Sequence, residues 1–233
     1  MRMYYDLHIH SALSPCGDND MTPNNIVNMS LIKGLDIIAV TDHNSCGNVR
    51  AVIEAAAGRL LVIPGMEIET SEEIHVVCYF PTIECAEEMW KYVKEHMQNI
   101  KNREEIYGEQ LYMDSEDNII GKEEILLVTA TTLNIYEVFS AAKRFGGIAI
   151  PAHIDRSSYS ILSNLGFIPP DLEVSALEIT PKNRTALEDK YKNIKIISNS
   201  DAHYLENISE QEFYLKDMFK SAEKVLEYLC KKE

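Results

Sequence analysis

The sequence predicts one α/β barrel of parallel βα units spanning residues 1–233, and three observations carry that prediction. Short apolar runs alternate with helix-forming segments at close intervals, as parallel βα units require. A chain of 233 residues is long enough for one substantial core, and barrels of that length are ordinary. Four of the apolar runs end in residues of metal-ligand type, which suits a fold whose functional groups gather where the loops converge at the C-terminal ends of its strands.

The first strand is Tyr4-Tyr5-Asp6-Leu7-His8-Ile9-His10. Side chains alternate across a strand, so Asp6, His8 and His10 are expected on one face and Tyr5, Leu7 and Ile9 on the other. Thr22 as N-cap and Pro23 at the first helical position start a helix that runs through Ile26, Val27, Met29 and Ile32 and stops at Gly34. The second strand, from Asp36 to Thr41, ends in Asp42-His43. A helix from about Asn48 to Ala57 closes at Gly58, and the strand Leu60 to Pro64 leads through Gly65 to Glu67. The run Ile74 to Phe80 is the next strand. Residues from about Glu84 to Glu105 then read as a long charged amphipathic helix, and Gln110 to Glu123 as a hairpin turning at Ser115 to Asn118. We read 84–132 as an insertion beside the active site. Regular structure resumes with a helix from about Ile135 to Phe145, closed by Gly146-Gly147, and a strand Ile148 to Ala152 that ends in His153. Later strands are Ala176 to Thr180 and Lys195 to Asn199, the latter followed by Asp201-Ala202-His203, and Ser221 to Lys231 makes a final amphipathic helix.

Composition narrows the function. No apolar run approaches the roughly 18 residues of a membrane span, and the first residues enter a strand without the basic and apolar regions of a signal peptide. A cytoplasmic location is expected. The five cysteines, Cys16, Cys46, Cys78, Cys85 and Cys230, are odd in number and lack Cys-x-x-Cys spacing, so they are expected to be reduced; Cys16 and Cys46 are assigned to apolar packing. A formal net charge of −15 disfavours tight binding to a long polyanion. Clustered divalent ions would offset that charge locally.

His8, His10, Asp18, His43, Glu67, His75, His153, Asp201 and His203 all fall at or near strand ends. This mixed set exceeds what one ion needs and points to two or three metals. The remaining histidine, His96, lies among Lys94, Glu95 and Gln98 and is assigned to solvent. Asp6 is expected to support the strand end and Asp42 to fix the loop by hydrogen bonds.

Asp6-Leu7-His8-Ile9-His10-Ser11, Thr41-Asp42-His43-Asn44, Gly65-Met66-Glu67, Pro151-Ala152-His153 and Ser200-Asp201-Ala202-His203 come in the order of the PHP (polymerase and histidinol phosphatase) domains, and the chain resembles that family from residue 6 to residue 203. The resemblance implies a distorted seven-stranded (β/α) barrel and a metal-dependent phosphoesterase, usually with three ions, variously manganese, iron, zinc or magnesium. It also implies the nine ligands named above, with Glu67 bridging two ions. Where several members carry a third N-terminal histidine, this chain offers Asp18 or Asp20, and counting back from Thr22-Pro23 favours Asp18.

The expected reaction is hydrolysis of a phosphate ester by a metal-bridged hydroxide, with the ions neutralising charge on the phosphoryl and leaving oxygens. Arg156, three residues past His153, is a candidate bidentate phosphate grip; Arg184, Lys182 and Asn44 are further substrate-binding candidates. The favoured substrate is a small phosphorylated metabolite, a nucleotide or nucleoside bisphosphate first and a sugar or amino-alcohol phosphate second. Competing readings are a 5′-3′ exonuclease on short RNA or DNA, and a non-catalytic metal-binding accessory domain.

Overall fold

A computed structural model describes residues 2–217, 219 and 221–231. In chain order its elements are β1 (Met3–Ile9), α1 (Pro23–Ile32), β2 (Ile37–Val40), α2 (Val49–Ala56), β3 (Leu61–Glu69), β4 (His75–Tyr79), α3 (Ile83–Glu95), α4 (Glu104–Tyr107), β5 (Leu111–Met113), β6 (Ile119–Lys122), α5 (Ile135–Arg144), β7 (Ile148–Pro151), α6 (Ile161–Leu165), β8 (Ala176–Glu178), α7 (Arg184–Glu188), β9 (Lys195–Ile197), β10 (Tyr214–Leu215) and α8 (Ala222–Cys230). Helix starts follow their capping chemistry: the Thr22 side chain accepts from the Asn25 amide ahead of α1, Asn134 and Glu137 form a reciprocal capping box on α5, and Ser221 caps α8. The long helix expected over 84–105 stops at Glu95, with His96 as its C-cap.

The main sheet has the strand order β10-β1-β2-β3-β4-β7. β1, β2 and β3 are parallel and linked through α1 and α2, as the βα reading requires. Beyond β3 the pattern changes, because β4 runs antiparallel to both β3 and β7, and β10 is antiparallel to β1. The cause is the short connection after Glu69: a parallel return needs a crossover of a dozen or more residues, and residues 70–74 permit just a hairpin. β8 and β9 form a separate parallel pair. It is tied to β1 through the bridge between Ile9 and Ala202 and to the loop after β7 through a hydrogen bond from the Ile154 amide to the Glu178 carbonyl. The result is an α/β fold with a curled, half-barrel sheet, and its ladders do not form one continuous ring of seven parallel strands.

Alternation places Ile37, Ala39, Ile63, Val77, Tyr79 and Ile150 on the concave face, sealed from below by Val225, Leu226 and Leu229 of α8. Ile38, Val40, Val62, Met66, Ile68 and Cys78 face outward under α1, α2, α3 and α5. β1 breaks this rule. Its register against β2 slips between Asp6 and Ile9, so three steps on β1 oppose two on β2. This bulge changes the phase of the strand: Tyr5 and Leu7 belong to the concave core, yet Ile9 packs in the outer one. Asp6 therefore does not share a face with His8 and His10. It lies on the outer side and accepts hydrogen bonds from the Ser200 and Ser209 amides and the Ser200 hydroxyl. At the bulge, the Leu7 amide donates to Asn199 Oδ1 and the Leu7 carbonyl accepts from the Tyr79 hydroxyl at 2.7 Å across the core. Gly65 makes room for that crossing, since a Cβ there would sit 2.9 Å from Thr41 Cγ2 and 3.3 Å from the Tyr79 ring.

Residues 110–131 lie against the loops that follow β1 and β2. Leu111 and Met113 pack on Ala12, the Asn48 side chain bonds both strand residues, and the Thr131 amide donates to the Glu69 carbonyl. Among the described residues, no helix is long and apolar enough to cross a membrane. Replacing Tyr79 by Phe strands the buried Leu7 carbonyl and should lower the free energy of unfolding by about 1–3 kcal/mol, read from urea denaturation with the far-ultraviolet circular dichroism unchanged.

Candidate metal centre

Glu67, on the concave side of β3, is 1% exposed. Five imidazoles surround its carboxylate: His75 Nδ1 at 3.0 Å, His43 Nδ1 at 3.1 Å, His153 Nε2 at 3.2 Å, His8 Nε2 at 3.3 Å and His10 Nε2 at 3.5 Å. Asp201 forms the other pole, with Oδ1 at 3.0 Å from His10 Nε2 and 3.3 Å from His8 Nε2. His203 stacks on His10 with ring centroids 4.2 Å apart. Three overlapping groups have ligand atoms mutually within 4.8 Å: His10, His43 and His203; His8, His10 and Asp201; and His43, Glu67 and His75.

The polar groups behind these rings fix which nitrogen faces the centre. His8 Nδ1 donates to the Glu178 carboxylate, 3.0 Å from each oxygen, which leaves Nε2 pointing inward. His10 Nδ1 donates to the Ser14 hydroxyl at 2.9 Å; that hydroxyl donates in turn to Asp42, which also accepts from the Ser11 amide and hydroxyl. His203 Nδ1 donates to the Asp201 carbonyl. Such outer partners set the tautomer and aim of a metal-binding histidine. The loops around the centre hold strained backbone. Asn44, His153, Tyr159 and Asp201 all have positive φ, between 27° and 53°, a conformation that costs of order 1–3 kcal/mol for a residue with a side chain.

The protein alone does not satisfy this cluster. An imidazole nitrogen bonds a carboxylate oxygen only when it carries a proton, and a neutral ring has one proton to give. His8 Nε2 and His10 Nε2 are 3.2 Å apart, so at least one of them is bare. His43 Nδ1, His153 Nδ1 and Asp201 Oδ1 are buried without an aligned hydrogen-bond partner. Burial opposes charge throughout, yet His75 and His8 hold the Glu67 carboxyl well below the usual range, and His8 and His10 do the same for Asp201. His8 is raised well above an ordinary histidine, against its burial, by Glu178, Asp201 and Glu67, whereas burial with His203 and His43 nearby pushes His10 well down. Imidazole nitrogens and charged carboxylates converging on a buried space, where cations would take the place of the ring protons, are a donor set that fits divalent ions.

Eight of the nine ligand candidates meet at this centre: His8, His10, His43, Glu67, His75, His153, Asp201 and His203. Asp18 is not among them. Its amide donates to the His203 carbonyl, and its carboxylate accepts from the Asp20 amide within its own turn. Arg156 reaches the rim, half-exposed, with Nη1 2.6 Å from Asp201 Oδ2. Asn44 does not face a substrate: its amide donates to the Leu127 and Thr129 carbonyls and its oxygen accepts from the Glu69 amide, binding residues 127–129 to β3. Arg184 turns away as well. It bonds Glu188 and the Ile196 carbonyl, lies over the Phe213 ring and lines a separate cavity of about 360 Å³ with Tyr5, Lys192 and Tyr214. Lys182, in the turn before α7, is exposed. His96 is partly buried, donates to the Tyr92 carbonyl and belongs to none of the ligand groups.

Three residues of the site escape a reading of the sequence. Glu178 carries a visible signal, a carboxylate inside the apolar run Ala176 to Ile179. Tyr159 stacks on His75 with centroids 4.9 Å apart and leaves its other side exposed; nothing local announces it. Cys16, assigned above to apolar packing, is instead exposed at the rim beside His43 and His203. Those two histidines lower its thiol to about 6 although the surrounding protein opposes ionisation.

A profile of the PHP domain matches residues 6–229. A 5′-3′ exoribonuclease of Haemophilus influenzae is 33% identical over 81 residues, covering 33% of this chain and 28% of that protein. Among solved structures, the lesion-specific endonuclease Q of Pyrococcus furiosus superposes with a TM-score of 0.71 at 20% identity, over 98% of this chain and 56% of its own. A protein of Bifidobacterium adolescentis assigned as a metal-dependent phosphoesterase gives 0.57 at 18% identity, over 86% and 88%. This chain thus spans about a quarter of the exoribonuclease and just over half of the endonuclease. With a family profile matched over nearly its whole length and a His and carboxylate cluster at the open end of an α/β sheet, the chain belongs to the PHP domain family of metal-dependent phosphoesterases.

Proposed function

We propose that this chain hydrolyses a phosphate ester of a small metabolite of the nucleotide class, using two to three divalent ions held by His8, His10, His43, Glu67, His75, His153, Asp201 and His203. One observation carries the reading: five imidazole nitrogens lie within 3.5 Å of the Glu67 carboxylate, more than that carboxylate and protons on the rings can satisfy. Bound divalent ions supply Lewis acidity and a nucleophile drawn from water at neutral pH. The donors suit manganese, iron or zinc, and magnesium less well.

The remaining work falls to residues of the chain. Glu178 accepts from His8 Nδ1 and turns Nε2 toward the centre, and Ser14 does the same for His10. Arg156 stands at the rim with its second guanidinium edge free of Asp201, so a phosphoryl oxygen can take it while Asp201 remains fixed. The exposed side of Tyr159, beside His75, offers a planar surface to a nucleobase. A net charge of −15 weighs against long nucleic acids. A short oligonucleotide remains the second reading, supported by the likeness to the exoribonuclease over 81 residues.

Protein purified without added metal should carry two to three ions per chain by elemental analysis and release phosphate from one class in a panel of nucleotides, bisphosphates, sugar phosphates and short oligonucleotides. Bound metal without release from any member would move the reading to an accessory domain. Glu67→Gln should lose metal and activity together; a fully active variant would contradict the central role of the carboxylate. Glu178→Gln should weaken metal retention or activity by about 10–100-fold, measured by competition with a chromogenic chelator. Arg156→Ala should raise KM for the substrate more than it lowers kcat, and an unchanged KM would remove the anchor.

A further inference from the structure

We propose that the cavity between β9 and β10 is a second binding site, for a small organic phosphate, toward the opposite end of β1 from the metal centre. It forms where the sheet divides. β1 pairs with β10 through Met3 and Tyr4, whereas its far end meets the segment after β9 through the bridge between Ile9 and Ala202 and the bond from the Leu7 amide to Asn199. β9 and β10 therefore flank a gap, a space of about 360 Å³ that has Tyr5 of β1 in its wall. Tyr5 precedes His8 by three residues, about 10 Å along a strand, and none of the eight ligand candidates lines the cavity. That volume lies within the range of small-ligand sites.

The lining reverses the sign of the chain. Across the sequence 37 acidic residues outnumber 22 Lys and Arg, yet Arg184, Lys192, Lys195 and Lys216 line the cavity with Glu188 as the one carboxylate among the described residues there. Arg2 adds a cation beside the lining, 4.3 Å over the Tyr214 ring. Arg184 is fixed by three contacts: Nε donates to Glu188 at 2.8 Å, Nη2 to the Ile196 carbonyl at 3.3 Å, and the guanidinium lies 5.1 Å from the Phe213 ring centroid. Its Nη1 is buried without an aligned acceptor, so the groups of the chain leave this guanidinium one partner short. Lys195 is held over the Tyr228 ring, with Nζ donating to the Tyr228 and Lys231 carbonyls at the end of α8. Lys192 and Lys216 are exposed. Glu188 is half-exposed and occupies the guanidinium edge that an incoming oxyanion would take, a carboxylate of the chain standing where a phosphoryl group fits. Ile194, Ile196 and Leu215 complete the lining with apolar surface. A fixed guanidinium, exposed ammonium groups and an apolar wall together suit a phosphate that carries an organic body.

The test is calorimetric titration of the full-length, metal-loaded protein with the methylenephosphonate analogue of ribose 5-phosphate, whose carbon–phosphorus bond resists hydrolysis. Salt at about 0.15 M confines charge effects to neighbouring groups. Wild type should bind the analogue at the cavity in addition to any binding at the metal centre. Lys192→Glu and Lys216→Glu should each weaken the cavity event by about 10–100-fold, Glu188→Gln should tighten it by about two- to fivefold, and Arg156→Ala should leave it unchanged. Metal content by elemental analysis should match wild type in all three cavity variants. Methylphosphonate, which lacks the sugar, should bind there about tenfold more weakly, and equal affinity would overturn the organic class of the ligand. No binding at all, or a single event that disappears in Arg156→Ala and survives both lysine variants, overturns the cavity site and leaves the metal centre standing. A single event that both lysine variants remove and Arg156→Ala keeps supports the cavity while removing Arg156 as a phosphate anchor.

Discussion

The rest of the structure is organised around a carboxylate that water cannot reach. Glu67 is buried in the midst of five histidines, and isolated burial of such a charge costs several kcal/mol. That cost is offset only if positive charge stays close by, so every element that brings a histidine must be positioned accurately. β3 is the longest strand, nine residues, and runs past the edge of β2 to lift Glu67 above the apolar layer. The hairpin back into β4 sets His75 beside it, and β7 delivers His153 from the next strand over. The α8 plug seals the floor beneath that layer.

Much of this was legible in the residues. The apolar runs that end in His43, His153 and Asp201 mark strand ends directly, and caps such as Thr22, Asn134 and Ser221 mark helix starts. What escaped depends on geometry that side-chain type does not encode. Tyr5, Leu7 and Ile9 look like uninterrupted alternation, yet the bulge sends Ile9 to the opposite face. An apolar residue satisfies either core, so the pattern carries no mark of the slip. The reversal of β4 could have been read from the five residues between Glu69 and His75, which cannot span a parallel crossover.

Proximity in sequence misled in a different way at the loops. Asn44 adjoins His43 and Arg184 follows a strand end, but both have local polar obligations that outweigh any outward role. The left-handed backbone at Asn44 turns its amide into the segment 127–129. Arg184 is drawn back over β9 by the Ile196 carbonyl. Cys16 and Asp18 show the same point in reverse: two residues apart in one tight turn, they face different surroundings, and Asp18 is consumed by the turn's own amides. In such loops the unsatisfied backbone groups decide where side chains go before their chemistry does.

The bridge between Ile9 and Ala202 joins the first strand to a segment near the other end of the chain. The two poles of the centre, His8 with His10 and Asp201 with His203, therefore meet only when segments far apart in the sequence close on each other. Long-range closure of this kind is slow to form, so the full donor set assembles with the fold and not ahead of it.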